Sequence, residues 1–472
     1  MYRVAPPAAA LDETPGILDF SHSKRQLTLV FGPMTSSRPI SPPALSAATA
    51  NPTVDPLQGK RITLCVTGSI AAYKACELTR LLVKRGAHVQ VAMTQSALEF
   101  VGKATFAGIT GKPVAVEMFG ADAIGESHIT LSANSDLIVI APATADILAR
   151  LAAGRADDLV SATALCARSP ILVAPAMHPS MWQHPATQRN VELLRRDGKI
   201  SLVGPVEGQV ASGEVGFGRF ADPAFIVHRI EAALSPQNLK GRHIVVSAGP
   251  TYEDLDPVRF LGNRSTGKMG FALAKVAALR GARVTLVAGP STLETPHDVT
   301  RVDVRSALSM RDALLEALGS GIETADVLIM AAAVNDFRFS EVQSEKLKRS
   351  PNTKIPQLAM NPDILAEIGA SRRGFVPLLV GFAVETDKER MLEFARGKLA
   401  SKRADVIVAN LASESFGLEE NHVTLVGAER ELELPASSKT DVAHRILDFV
   451  THALGTYGSP GLGSLRPQSG TP

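Results

Sequence analysis

The feature that most constrains the fold is an alternation of short apolar strands with helices. Residues 61–66 form a β-type run, the turn after them opens a helix that continues to Lys84, and residues 88–93 form the next strand. Further buried strands are predicted at residues 135–141 and 170–174. Strands that are apolar along their whole length, with helices between them, indicate a parallel sheet that is covered on both faces.

The same alternation occurs a second time from Gly241 onward. Strands are predicted at residues 242–247, 284–288 and 324–330, and a helix is predicted from about Lys268. In both halves an acidic residue stands just before an apolar strand. We therefore predict an α/β protein with two tandem Rossmann-like three-layer domains, each built on a mainly parallel sheet.

The length and the local composition divide the 472 residues into four segments. Residues 1–59 are rich in Pro, Ala and Ser and read as a disordered tail, in which Met34 is an alternative start of translation. Residues 60–235 form the first predicted domain and residues 240–454 the second. Residues 455–472 are rich in Gly, Pro and Ser and are predicted to be a flexible tail.

Composition excludes several classes of protein. The formal net charge of +2 predicts neither a nucleic-acid nor a membrane-surface partner. No apolar run approaches the roughly 18 residues of a membrane-spanning helix. The three cysteines lie far apart, without metal-ligand spacing. These features predict a reduced, soluble, cytoplasmic protein.

Two stretches of the first half are candidate binding elements. Residues 175–182, PAMHPSMW, follow a buried strand and contain the only Trp of the chain. They fit either a loop that wraps a flat ligand or a strand end whose Met and Trp side chains plug a core. The turn at residues 67–69 precedes a helix and offers a phosphate seat. It has a single glycine, so a mononucleotide fits better than NAD.

Two stretches of the second half are candidate anion sites. Residues 262–269, GNRSTGKM, nearly match the P-loop pattern, but Met269 replaces its last hydroxyl residue and we predict no strand directly before the loop. These departures argue against a Walker-type ATPase, whereas an anion cradle with Lys268 and a simple helix-start turn both stay open. Lys398 and Lys402 lie four residues apart in a helical stretch, which suits either a triphosphate or a solvated helix face.

Taken in order, these motifs resemble a known family. Residues 68–74, 127–129, 141–146, 158–160 and 175–182 are similar to the flavin-dependent cysteine decarboxylases. From about Lys60 to Val450 the chain resembles the bacterial bifunctional phosphopantothenoylcysteine decarboxylase/phosphopantothenate–cysteine ligases of coenzyme A biosynthesis. The resemblance implies FMN as the cofactor of the first half, where it accepts electrons from the substrate thiol so that the neighbouring carboxylate is lost.

The resemblance assigns roles to residues of the first half. His128 matches the catalytic His, and an imidazole is suited to proton transfer near neutral pH. The positions implied in FMN binding are Gly68, Ser69, Ile70, Ala141, Pro142, Ala143 and Thr144. The positions implied in substrate binding are Met177, His178, Met181 and Trp182.

Two positions depart from the family pattern. His178 stands where the family has an Asn that is thought to hold the substrate carboxylate. Ser212 stands where the family's flap carries a Cys that protonates the product, and it is our candidate for that catalytic position. A hydroxyl is a far weaker acid than a thiol. The reductive completion of the decarboxylation is therefore the step that this sequence puts in question.

In the second half the resemblance implies a ligase that uses CTP and Mg²⁺. Asn263 matches a catalytic Asn that handles the acyl-nucleotide intermediate. The positions implied in CTP binding are Asp336, Lys346, Pro362, Asp363, Ile364, Leu365, Phe382, Lys398 and Lys402. The metal ligands cannot be read from the sequence.

The implied reaction joins L-cysteine to 4'-phosphopantothenate through an acyl-cytidylate, followed by decarboxylation to 4'-phosphopantetheine. The alternative is an active ligase fused to a flavin-binding domain whose decarboxylase function is incomplete or regulatory. The family also implies a homo-oligomer, a dodecamer in which decarboxylase trimers are joined by ligase dimers.

Overall fold

The structure is a computed structural model. It describes residues 55–119, 126–319, 324–348, 355–372, 376–414, 418, 420–429 and 431–457. Most of both predicted tails, including Met34, lies outside these residues. Just before the predicted boundary at Lys60, Leu57 is fully buried and Asp55 pairs with Arg85. The last helix is Lys439–Tyr457, and the domain boundaries stay predictions.

The first half is built on a five-stranded parallel sheet in the order β2-β1-β3-β4-β5. Its strands are β1 (Arg61–Val66), β2 (His88–Met93), β3 (Leu137–Ala143), β4 (Ile171–Pro175) and β5 (Ile200–Leu202). Two more strands, β6 (Val206–Gln209) and β7 (Val215–Arg219), form an antiparallel hairpin. The helices are α1 (Ala72–Lys84), α2 (Lys103–Thr110), α3 (Ser127–Ala133), α4 (Ala145–Ala152), α5 (Leu159–Leu165), α6 (Pro179–Gln183), α7 (Pro185–Arg196) and α8 (Pro223–Leu234). β3 and β4 are buried at every position, as expected of central parallel strands.

The second half is built on an eight-stranded sheet in the order β12-β11-β8-β13-β16-β17-β18-β19. Its strands are β8 (His243–Ala248), β11 (Arg283–Ala288), β12 (Val299–Asp303), β13 (Val327–Met330), β16 (Leu378–Glu385), β17 (Val406–Leu411), β18 (Glu420–Gly427) and β19 (Glu431–Ser438). The last two are antiparallel and the others parallel. Two small antiparallel ribbons pair β9 (Tyr252–Asp254) with β10 (Phe260–Gly262) and β14 (Phe337–Phe339) with β15 (Leu358–Met360).

Helices cover this second sheet. They are α9 (Lys268–Leu279), α10 (Ala307–Leu318), α11 (Ile364–Ser371), α12 (Met391–Ser401) and α13 (Lys439–Tyr457). α9 and α13 pack against each other and enclose the largest apolar cluster of the half. The predicted α/β class with mainly parallel sheets is confirmed. In the part of the chain that the structure describes, no helix has the length and hydropathy needed to cross a bilayer.

Carboxylates at the starts of strands tie neighbouring strands together in both halves. Asp136 accepts a hydrogen bond from the backbone N–H of Arg61 at 2.8 Å, and Asp326 accepts one from His243 at 2.8 Å. Asp405 repeats the arrangement with Leu379 at 2.7 Å. The acidic residue that precedes a strand thus stabilises the pairing with the adjacent parallel strand through a side-chain to backbone hydrogen bond.

Candidate functional site

Three loops meet at the carboxyl ends of β1, β3 and β4. The Thr67 hydroxyl donates to the carbonyl of Pro142 at 2.7 Å and accepts from the N–H of Thr144 at 3.2 Å. The N–H of Ala176 donates to the carbonyl of Ala143 at 2.9 Å. Ligands of open parallel sheets bind at this edge. The structure therefore brings the predicted flavin-binding turns and the loop after β4 together.

The turn at residues 67–69 leads directly into α1. A Cβ on Gly68 would lie 2.5 Å from Oγ of Ser96, so only glycine allows this close approach. Next to the turn, Ile70 and Tyr73 leave 59% and 61% of their surfaces exposed. Backbone N–H groups at the start of a helix favour an anion, which is consistent with a phosphate at this turn.

His128 is the second residue of α3, which packs against α5. Its Nδ1 atom is buried and has no hydrogen-bond partner in the described part of the chain. A buried polar atom without a partner is costly, and such atoms mark places where a ligand completes the hydrogen bonding. His128 is therefore a candidate for ligand contact or proton transfer.

Residues 175–182, which we call the β4 loop, divide between the two interpretations left open by the sequence. Met177 and Trp182 are partly buried and pack against the core of the first sheet. Met181 is 49% exposed, and His178 begins α6 with its Nδ1 accepting from the N–H of Ser180 at 3.3 Å. In this single chain Met177 and Trp182 plug the core, whereas Met181 and His178 lie nearer the surface.

Ser212 lies exposed in the turn of the β6–β7 hairpin. The turn is closed by a 2.9 Å hydrogen bond from the N–H of Gly213 to the carbonyl of Val210. No cysteine lies in this hairpin. Cys65 is fully buried in β1, and this burial raises the pKa of its thiol to about 12. Cys65 is therefore no substitute for an acidic thiol in the hairpin.

The second half contains a cavity of about 900 Å³. It lies beside the carboxyl ends of β13, β16 and β17 and the first turn of α9. It gathers most of the residues that the resemblance assigned to the ligase, namely Asn263, Asp336, Pro362, Asp363, Ile364, Leu365, Phe382, Lys398 and Lys402. These residues span a long stretch of the chain, so the sheet order is what brings them together.

The cavity is positively charged. Five of its lining residues are cationic, Arg264, Lys268, Lys398, Lys402 and Lys439, and two are acidic, Asp336 and Asp363. An excess of cations in a concave site raises the local concentration of anions. The lining therefore suits a polyanionic ligand such as a nucleoside triphosphate.

Hydrogen bonds hold the polar rim of the cavity in place. The side-chain amide of Asn263 donates to the carbonyls of Ala333 and Val334 at 3.2 and 3.1 Å. The N–H of Asn361 donates to the carbonyl of Asp336 at 2.8 Å. These contacts join the loop before α9, the segment after β13 and the segment before α11 into one wall.

Both predicted lysines face the cavity and are paired with carboxylates. Lys398 Nζ lies 3.0 Å from Oε1 of Glu385, and Lys402 pairs with Asp363. Because Lys402 is the C-cap residue directly after α12, four residues beyond Lys398, the two ammonium groups share one side of that helix. An incoming phosphate can take over these contacts, since each ammonium has three donors.

Two predictions for this half concern Lys346 and the residues directly before the P-loop-like segment. Lys346 is exposed and is absent from the described lining of the cavity, so its role stays a prediction. The expectation that no strand directly precedes the P-loop-like segment is wrong, because β10 ends at Gly262. That strand has three exposed residues in a two-stranded antiparallel ribbon, which is too short to give a sequence pattern. It is not the buried parallel strand that a Walker loop follows.

Sequence reasoning missed several lining residues, including Arg264, Lys439 and two buried amides. Asn410 is 4% exposed and Asn421 3% exposed, and their side chains form a 3.4 Å hydrogen bond. Asn410 interrupts the apolar run of β17, which was the available signal.

Among the described residues no group of three or more His, Cys, Asp or Glu side chains is arranged to hold a metal ion.

Two family models match the chain. The "Flavoprotein" model matches residues 51–235, and the "DNA/pantothenate metabolism flavoprotein C-terminal domain" model matches residues 239–454. The chain is also similar to curated proteins called "Coenzyme A biosynthesis bifunctional protein CoaBC". It is 42% identical to that of Vibrio parahaemolyticus over 400 residues, covering 83% of this chain and 98% of the relative. It is 44% identical to that of Mycobacterium tuberculosis H37Rv over 407 residues, covering 83% and 96%.

Solved structures match each half separately. The C-terminal domain of a CoaBC protein is 38% identical, covers 46% of this chain and 96% of that chain, and has a TM-score of 0.39. An FMN-dependent cysteine decarboxylase, SpaF, is 31% identical, covers 38% and 99%, and has a TM-score of 0.33. The family assignment rests on the matches of sequence.

Proposed function

The chain belongs to the CoaBC family of bifunctional coenzyme A biosynthesis proteins, and on that basis we propose the chemistry of its two reactions. As a member of this family it is a phosphopantothenate–cysteine ligase and a phosphopantothenoylcysteine decarboxylase, and its first half is a flavoprotein domain. In our proposal the second half joins L-cysteine to 4'-phosphopantothenate with CTP. The first half then decarboxylates the product with FMN, giving 4'-phosphopantetheine.

The observation that carries the ligase proposal is the cationic cavity lined by Asn263, Lys398 and Lys402. The 4'-phosphopantothenate carboxylate attacks the α-phosphorus of CTP, and pyrophosphate leaves. The amine of cysteine then attacks the acyl carbon, loses a proton, and displaces CMP to form the amide. Preorganised ammonium groups stabilise the negative charge that develops on the leaving pyrophosphate.

Mg²⁺ would be held chiefly by the CTP phosphates. Mg²⁺ commonly keeps several waters and binds through one or two carboxylates together with substrate phosphates. Asp336 and Asp363 line the cavity and could supply such carboxylates.

The residues at the carboxyl ends of β1 and β3 fit FMN. The turn at residues 67–69 would take its phosphate at the start of α1, and the small residues Ala141 to Ala143 allow a ring to approach closely. FMN, when bound, supplies the electron sink that lets the substrate lose its carboxylate. His128, whose Nδ1 lacks a partner among the described residues, would exchange a proton with the bound substrate.

Ser212 supports a second candidate for the first half. A hydroxyl at this turn is a weak proton donor, so the enzyme could release an oxidised decarboxylated product instead of phosphopantetheine. In the stronger form of this alternative the domain binds flavin for regulation and only the ligase turns over.

The test uses the full chain with FMN, 4'-phosphopantothenate, cysteine, CTP and Mg²⁺, with products separated by chromatography and flavin absorbance recorded. Phosphopantetheine supports the complete sequence, an oxidised decarboxylated product supports the truncated one, and accumulation of phosphopantothenoylcysteine supports the regulatory alternative. His128→Ala should abolish CO₂ release and leave CMP release unchanged. Loss of both activities in this variant would contradict two independent sites.

We also propose a homo-oligomer of the dodecameric type described above. Exposed apolar side chains occur beside the flavin turns, at Ile70 and Tyr73, and on the ribbons of the second half, at Phe260, Phe337 and Met360. Exposed apolar groups that cluster at a site favour contact with another chain. Sedimentation of the full protein with FMN tests the assembly.

A further inference from the structure

The β6–β7 hairpin lies directly against the β4 loop. The N–H of Met177 donates to the carbonyl of Gly218 at 2.9 Å. A Cβ on Gly218 would lie 2.3 Å from the carbonyl oxygen of Met177, and one on Gly216 would lie 3.0 Å from Cβ of Pro179. The backbones of the two segments therefore meet at Gly218, near the base of the hairpin, where only glycine allows the approach.

A second contact holds the hairpin near its turn. Nε2 of His178 lies 2.8 Å from Oε2 of Glu214. The carbonyl of Glu214 accepts from the N–H of Val210 at 2.9 Å across the turn that contains Ser212. The Glu214 side chain thus connects the turn to the start of α6.

The hydrogen bonds define what His178 can do in this arrangement. Its Nδ1 accepts from the N–H of Ser180, so in the neutral imidazole the proton is on Nε2, which donates to Glu214. Both ring nitrogens are then engaged within the chain. Neither is left to bind a substrate carboxylate unless the Glu214 contact breaks.

We propose that His178 is a positioning residue, which through Glu214 holds the hairpin turn with Ser212 against the β4 loop. This role replaces direct binding of the substrate carboxylate. It rests on the proposed decarboxylase function, because a fixed turn serves to keep Ser212 and the β4 loop in one arrangement during the reaction. The two side chains are 36% and 51% exposed, so the pair contributes little to global stability and acts locally.

The experiment compares Glu214→Gln and His178→Asn in the full FMN-loaded protein, with Glu207→Gln as the matched control. Glu207 is an exposed carboxylate in β6 of the same hairpin, and no described residue forms an ion pair with it. Hydrogen exchange of the amides at residues 209–215 is measured together with kcat and KM for CO₂ release and for CMP release.

We expect Glu214→Gln and His178→Asn each to speed exchange at residues 209–215 about five-fold, the factor for an exposed pair worth ~1 kcal/mol. The kcat for CO₂ release should fall with KM nearly unchanged, CMP release should stay unchanged, and the double variant should be no worse than either single one. The control should match the wild type in all of these.

Two results would overturn the proposal. One is exchange at residues 209–215 in Glu214→Gln that equals the control. The other is a higher KM in His178→Asn that Glu214→Gln does not share, since that pattern indicates direct binding of substrate by His178. If wild-type protein releases no CO₂, the proposed decarboxylase function fails, whereas the exchange measurement still decides the pairing.

Discussion

The pairing of Arg280 with His444 predicts that the protein loses stability in mild acid. Arg280, 2% exposed, donates from Nη2 to Nδ1 of His444 at 2.9 Å. His444 is 5% exposed, and Arg280 also pairs with Asp448 at 2.6 Å. Burial, and secondarily the charge of Arg280, lower the pKa of His444 from 6.5 to about 4. Protonation would require the loss of the Arg280 contact.

The sign of this pH effect on the free energy of unfolding follows from the number of protons bound in the folded and unfolded states. In the unfolded chain His444 takes up its proton near its ordinary pKa, whereas in the folded protein it does so only near 4. Between these values the unfolded state holds more protons, so the free energy of unfolding decreases as the pH falls from about 6.5 to about 4. The loss is about 2 kcal/mol from about pH 7.5 to about pH 5, and ~3 kcal/mol once the folded state is also protonated.

The assay is urea unfolding followed by far-UV circular dichroism at these two pH values. His444→Asn keeps an acceptor near the Nδ1 position without a titrating group, so its pH dependence should be smaller than that of the wild type by about 2 kcal/mol. His452→Asn, at an exposed position of the same helix, is the control and should keep the wild-type dependence. An unchanged pH dependence in His444→Asn would refute the assignment to His444.

Two further predictions concern charged groups of the second half. Lys402→Ala should raise the KM for CTP about ten-fold, equivalent to ~1.4 kcal/mol, because the Lys402 ammonium lines the cationic cavity, and the KM for cysteine should stay constant. Initial-rate kinetics would check this, with Lys388→Ala as an exposed control outside the cavity. Equal effects of both substitutions would contradict the prediction. Asp405→Ala should lower the free energy of unfolding by about 3–5 kcal/mol, because Arg372 loses the buried carboxylate that lies 2.5 Å from it. Urea unfolding measures this change. A loss below ~1 kcal/mol would show that the pair does not stabilise the fold.

Local patterns predicted the elements with considerable accuracy. Strand β2 was expected at residues 88–93 and is His88–Met93, and helix α9 was expected from Lys268, where it begins. The acidic residues before β3 and β13 were recognised as a shared feature, and the structure adds that they bind the neighbouring strand. These features could be predicted because the period of side-chain burial and the chemistry of helix ends lie within a few residues.

The candidate ligase site was only partly accessible to such reasoning. The motif resemblance identified Asn263, Lys398 and Lys402, and the cavity contains all three. Asn421 was missed because it joins the cavity through β18, an antiparallel strand that follows the parallel part of the sheet. Lys439 was missed because it begins α13, a helix that follows β18 and β19 along the chain.

The α/β class, the two repeated halves and, through the motifs, the family could all be inferred from the amino-acid sequence. Three features became apparent only in the folded chain: Leu57 is part of the core, Met177 and Trp182 pack inward, and both ring nitrogens of His178 have partners within the chain. Glu214 stands far from His178 in sequence, and no spacing rule links a residue before α6 to one in a later hairpin. Sheet order and loop docking create that contact, because they determine which distant side chains share one volume of space.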